Sequence, residues 1–98
     1  MAATGQDNTV RVALGRVLTR RFEDGKAKGT QAALGEALGA KSEAAAQRGW
    51  RLCSGQIFPD RDLPDVAAYV GLSLPGLLRL VTAEIVAMDR ESRARQNK

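Results

Sequence analysis

Thr30-Gln31-Ala32-Ala33-Leu34-Gly35-Glu36-Ala37-Leu38-Gly39-Ala40-Lys41-Ser42 carries, in thirteen residues, the signals for a capped helix, a turn and the cap of the next helix. A threonine hydroxyl before a run of helix formers accepts a hydrogen bond from an orphan backbone N–H, so Thr30 is expected to cap a short helix over 31–38. Ala33, Leu34, Ala37 and Leu38 give that helix one apolar side. Gly39 stops it, Ala40-Lys41 forms the turn, and Ser42 is expected to cap a third helix from Glu43 to about Cys53. Ala44, Ala45, Ala46, Trp50 and Leu52 are assigned to packing in the third helix. Gly49 lies inside it and costs about 1 kcal/mol relative to alanine. Ser54-Gly55 ends it.

Toward the N-terminus, Lys26 to Gly29 is a short basic loop and Asp24-Gly25 a helix stop. Before it, Val10, Leu14, Val17, Leu18 and Phe22 form an amphipathic stripe, with Asn8 or Thr9 as the expected cap and residues 1–8 as a flexible arm. Toward the C-terminus, the loop from Gln56 to Arg61 contains Pro59. Asp60 or Asp62 is expected to cap a fourth helix with the stripe Leu63, Val66, Ala67 and Val70, closed by Gly71. Ser73 is expected to cap a fifth helix, where Pro75 is tolerated in the first turn. Its stripe is Leu74, Leu77, Leu78, Val81, Ile85 and Met88, while Leu80, Ala83, Val86 and Ala87 lie partly on another face. Residues 90–98 form a charged tail expected to fray. No strand pattern, repeat or low-complexity segment interrupts this order, so the expected fold is all-α, a bundle of five helices.

The 98 residues suit one domain. A single cysteine, Cys53, rules out an internal disulfide, and the chain has no histidine. That leaves neither the ligands of an ordinary zinc site nor a Ser-His-Asp or Cys-His mechanism. No pair of acid, base or nucleophile stands out, and no enzyme activity, metal or cofactor is expected. A reducing cytoplasm is the natural compartment. No apolar run is long enough for a membrane span, and 1–7 lacks the basic start and apolar stretch of a secretory signal. The net charge of +4 is unevenly placed: 1–57 holds nine Lys/Arg against five Asp/Glu, and 58–98 holds six of each. The basic part suggests a surface facing a polyanion, against the plainer reading of a soluble surface.

The stretch from Thr30 to Gly39 resembles the second helix of the lambda-repressor-like helix-turn-helix family, the xenobiotic-response-element type. There a Ser/Thr-Gln opens the helix and a Leu-small-x-x-Leu-Gly run closes it. Ser54-Gly55-Gln56-Ile57-Phe58-Pro59 resembles that family's exit from the recognition helix. Leu63-x-x-Val66-Ala67-x-x-Val70-Gly71-Leu72-Ser73-Leu74-x-x-Leu77-Leu78 resembles its fourth helix, turn and fifth helix. The likeness spans Val10 to Val81. The segment between Gly39 and Ser54 departs from it, being about one helical turn longer than usual, with Gly49 where a buried aliphatic residue normally sits. The resemblance implies a five-helix bundle, here expected over 9–89 with a C-terminal helix that is long for the family, acting as a sequence-specific transcriptional regulator, a phage-type or bacterial repressor, on double-stranded DNA.

Under that reading, Gln31 at the start of the second helix anchors phosphate or braces a base-reading side chain. Ser42, Glu43, Gln47, Arg48 and Arg51 are the polar residues of the third helix, and Glu43, Gln47 and Arg51 share a face at i, i+4, i+8. Arginine reads guanine and glutamine reads adenine through paired hydrogen bonds, and a solvated polar ladder is the alternative. Lys26, Lys28 and Lys41, in turns, and Arg16, Arg20 and Arg21, on the first helix, are candidates for phosphate neutralisation or simple solubility. Trp50 is assigned to the core, Cys53 to inert packing, and Asp60, Asp62 and Asp65 to capping rather than a metal. Surplus apolar surface at Leu80, Val86 and Met88 suggests a two-fold dimer through the C-terminal helix. No small-molecule ligand is expected. A second reading keeps the fold but makes it a protein-interaction module, an antitoxin or adaptor.

Overall fold

A computed structural model of the chain describes residues 2–41 and 43–96. It holds five α-helices in the order α1 (Ala2–Glu23), α2 (Gln31–Ala37), α3 (Glu43–Cys53), α4 (Leu63–Tyr69) and α5 (Leu74–Gln96), and no strand among the described residues. The all-α architecture expected from the sequence is therefore present. Ser42, the expected cap of α3, lies outside the described residues.

Local chemistry explains where the helices start and stop. The Thr30 hydroxyl accepts from the backbone N–H of Ala33 at 3.1 Å, and the Ser73 hydroxyl accepts from that of Gly76 at 3.1 Å. At the end of α2, Gly39 adopts φ 96°, the Gly39 N–H donates to the Glu36 carbonyl, and the Ala40 N–H donates to the Gly35 carbonyl. This reciprocal pair satisfies carbonyls that the helix leaves orphaned, and the left-handed conformation it requires favours glycine. The same pair of bonds, with a left-handed glycine, ends α1 at Gly25, α3 at Gly55 and α4 at Gly71.

Both terminal helices are longer than the sequence suggested. α1 runs through the expected arm and through Asn8 and Thr9. Ala2, Ala3 and Gln6 favour helix and no proline interrupts 2–23, so the packed part propagates outward. α5 continues to Gln96 along the charged segment, where Arg93 pairs with Asp89 at 3.1 Å and Arg95 with Glu91 at 3.9 Å, both at i, i+4.

α1 packs against α3 and α5, α2 against α3 and α4, and α4 against α5. The core between them is Ala13, Leu14, Val17 and Leu18 of α1, Leu34 of α2, Leu52 and Cys53 of α3, Val66, Ala67, Tyr69 and Val70 from the α4 region, and Leu77 and Val81 of α5. Phe22, Ile57, Phe58, Leu72, Ile85 and Met88 close its edges. Leu78, expected in the α5 stripe, is exposed. The buried side of α5 is instead completed by Glu84, which is only 6% exposed.

Tyr69 ties α4 to the start of the α2–α3 unit. Its hydroxyl donates to the Thr30 carbonyl at 3.0 Å, its carbonyl accepts from the Lys28 N–H at 2.8 Å, and its ring lies 6.1 Å from that of Phe22. The Arg21 Nε donates to the Val70 carbonyl at 2.9 Å, joining the same corner to α1.

Candidate nucleic-acid interface

The candidate surface is the outward side of α3, and the buried side of that helix determines its composition. Ala45, Gly49, Leu52 and Cys53 are buried, at i, i+4, i+7 and i+8. A helix turns about 100° per residue, so this stripe directs Glu43, Gln47, Trp50, Arg51 and Ser54 away from the core. All five are exposed, as are Ala44 and Ala46.

Three packing assignments are thereby corrected. Ala44, Ala46 and Trp50 do not pack inward; Trp50 is 55% exposed, the largest exposed apolar side chain among the described residues. The cause is Gly49. A Cβ at this position would lie 1.8 Å from the Gln31 carbonyl oxygen, and one at Gly35 would lie 1.9 Å from the Ala45 carbonyl oxygen. The backbones of α2 and α3 thus touch at two points, and the inward position that a large side chain would need belongs to glycine. The glycine interrupts the apolar spacing and hides the stripe in the sequence. Counting it as a core position shows that Trp50 falls outside.

The arginines divide into tethered and untethered groups. Arg48 donates from Nη2 to Asp62 Oδ2 at 2.9 Å, and so joins α3 to the start of α4. Asp62 precedes α4 but makes no capping bond; its carboxylate serves Arg48 instead. Arg16 and Arg20 both pair with Glu84, Arg16 at 3.4 Å, and Arg16 also reaches Glu91 at 3.5 Å. Burial by itself would raise the Glu84 carboxyl; hydrogen bonds from Arg20 and Arg16, with their charges, outweigh it and hold the group below the ordinary glutamate range. Arg21 spends its guanidinium on the Val70 and Gly71 carbonyls. Lys26, Lys28, Lys41 and Arg51 are exposed, and their side chains form no ion pair or hydrogen bond among the described residues.

Of the residues singled out in the sequence, the structure brings Glu43, Gln47 and Arg51 to one exposed face. Gln31 is half-buried, and its carbonyl lies against Gly49, which sets the start of α2 beside the middle of α3. Lys28 and Lys41 sit in the turns before α2 and before α3. Arg48 lies off the outward face. Cys53 is buried, with its thiol pushed up to about 11 by burial, so it is neutral and unreactive near pH 7. Among the described residues no group of His, Cys, Asp or Glu is arranged to hold a metal ion. No single helix among them is long and apolar enough to cross a membrane.

The three residues chosen for an α5 interface are not equivalent. Leu80 and Val86 are exposed, whereas Met88 is half-buried against the core. Leu80 borders a cleft shared with Val17, Arg20 and Asp24 of the α1 region, while Val86 borders another beside Ile85 and Met88. No family model, no curated protein and no solved structure matches this chain.

Proposed function

We propose that this chain is a sequence-specific DNA-binding regulator of the lambda-repressor-like helix-turn-helix kind, a repressor of phage or bacterial type that inserts α3 into the major groove of double-stranded DNA. The observation that carries this reading is the partition of the basic residues. The arginines of α1 are engaged by Glu84, Glu91 and three carbonyls, Arg11 by that of Gln56 and Arg21 by those of Val70 and Gly71, and the untethered cations of the first part of the chain gather on the α2–α3 unit and its flanking loop. Lys26, Lys28 and Lys41 then neutralise phosphate, while Gln47 and Arg51 present paired donors or acceptors to base edges. The backbone contacts of Gly35 with Ala45 and of Gly49 with Gln31 support a rigid two-helix unit. A second copy docked through the exposed side of α5, around Leu80 and Val86, places two such helices on adjacent half-sites.

The exposure of Trp50 favours a second reading, in which the outward face of α3 receives a protein and the chain is an antitoxin or adaptor. Binding of the full chain to duplex DNA, with Arg51→Ala beside wild type, separates the two. Loss of a tight complex in the variant supports the DNA reading. The absence of any complex with wild type at low salt transfers the face to a protein partner.

A further inference from the structure

We propose that Trp50 is a specificity-determining residue that reads thymine in the major groove through the 5-methyl group and the adjacent O4 acceptor. The inference rests on the DNA reading above. Trp50 leaves the helix on the face shared by Glu43, Gln47, Arg51 and Ser54, three residues after Gln47, and its indole has no ring or hydrogen-bond partner among the described residues. Arg51 on this face and the untethered Lys41 in the turn before α3 match a polyanion in charge, which favours duplex DNA over other occupants.

The chemistry selects the base. An indole offers a broad apolar surface and one N–H donor, and it has no acceptor. Among the base edges of the major groove, only thymine pairs an apolar group with an acceptor beside it. Cytosine carries no methyl and presents an N4 donor, which an indole cannot satisfy. Trp50 therefore discriminates T·A from C·G, complementing Gln47 and Arg51, whose hydrogen bonds suit purine edges.

The test uses the full-length protein and sites selected by it from a random duplex pool. Each thymine of the enriched site is replaced singly, once by deoxyuridine, which removes only the methyl, and once by 5-methylcytosine paired with guanine, which keeps the methyl and turns the O4 acceptor into a donor. At one thymine, wild type should lose about fourfold in affinity with deoxyuridine, the worth of one buried methyl, and about tenfold with 5-methylcytosine. Trp50→Ala should show no loss at that position on removal of the methyl, while keeping its sensitivity at other base pairs. Trp50→Phe retains the apolar ring and loses the donor, so it should keep the deoxyuridine effect and distinguish thymine from 5-methylcytosine less than wild type does, any remainder coming from the adenine-to-guanine change in the paired base. If both variants respond to every replacement as wild type does, or if no thymine methyl matters to wild type, Trp50 reads no base although the DNA reading stands. If the pool yields no enriched sequence, the DNA reading itself falls and the inference with it.

Discussion

Two arginines three residues apart on α3 have different partners, and the difference is testable. Arg48 is paired with Asp62, both about a third exposed, so the pair is worth about 1 kcal/mol or less after screening by solvent. Arg48→Ala should lower the melting temperature slightly and leave DNA affinity nearly unchanged. Arg51→Ala removes an unpaired, exposed guanidinium and should leave the melting temperature unchanged while weakening the specific complex by about 1–3 kcal/mol, read by fluorescence anisotropy. Glu84 is the residue on which the α1–α5 contact depends electrostatically. Removing one partner of a fully buried pair costs about 3–5 kcal/mol. Arg16 and Arg20 are 42% and 58% exposed, so Glu84→Gln should cost less, about 1–2 kcal/mol. Because the folded carboxyl titrates below its unfolded value, its contribution is fully present above the unfolded pKa of about 4.3 and is lost as pH falls through the folded one. Acid melts of wild type should therefore steepen below about pH 4.3, and those of Glu84→Gln should steepen less.

At the scale of elements, the crossing of α2 and α3 decides what the candidate surface displays. Gly49→Ala gains about 1 kcal/mol of helix propensity. Its Cβ meets backbone at 1.8 Å, which no rotamer relieves, and forcing the helices apart costs about 1–3 kcal/mol or more. The net effect should be a lower midpoint in urea unfolding, together with weaker DNA binding as α3 moves relative to the start of α2. A gain in stability would show that the helices do not cross this closely. Tyr69→Phe should cost about 1 kcal/mol through the lost bond to the Thr30 carbonyl. These elements were largely legible in the sequence, because Thr30, Ser73, Gly25, Gly39, Gly55 and Gly71 act through local backbone chemistry that needs no tertiary context. The outward face of α3 was legible in part. Glu43, Gln47 and Arg51 follow from i, i+4 spacing, but the fates of Trp50 and Arg48 depend on a glycine that lets another backbone in and on an aspartate fourteen residues away. At the termini, the helix formers of 2–7 and the i, i+4 charge pairs after Asp89 carry only a weak signal, and propagation from the packed segments extends the helices through both.

For the whole molecule, charge is the property most open to measurement. The basic excess of 1–57 suggested a polyanion-facing surface, and side-chain partners narrow it to Lys26, Lys28, Lys41 and Arg51: Glu84 and Glu91 pair with Arg16 and Arg20, Asp62 pairs with Arg48, and backbone carbonyls hold Arg11 and Arg21. If each of the four neutralises one phosphate, log affinity falls with log salt at a slope of about −3.6 per copy, and about twice that for a dimer. Sedimentation equilibrium of wild type beside a Leu80→Glu, Val86→Glu variant checks the second copy. A concentration-dependent dimer should become a monomer in the variant, whereas a wild-type monomer at high concentration removes the α5 interface. The most direct measurement is the affinity of the full chain for the DNA flanking its own coding region and for mixed-sequence duplex, each across a salt series. A complex with the flanking DNA about a thousandfold tighter than the mixed-sequence baseline, weakening with salt along the slope above, is the predicted result. Equal affinity for the two, or no complex at low salt, would contradict a sequence-specific regulator.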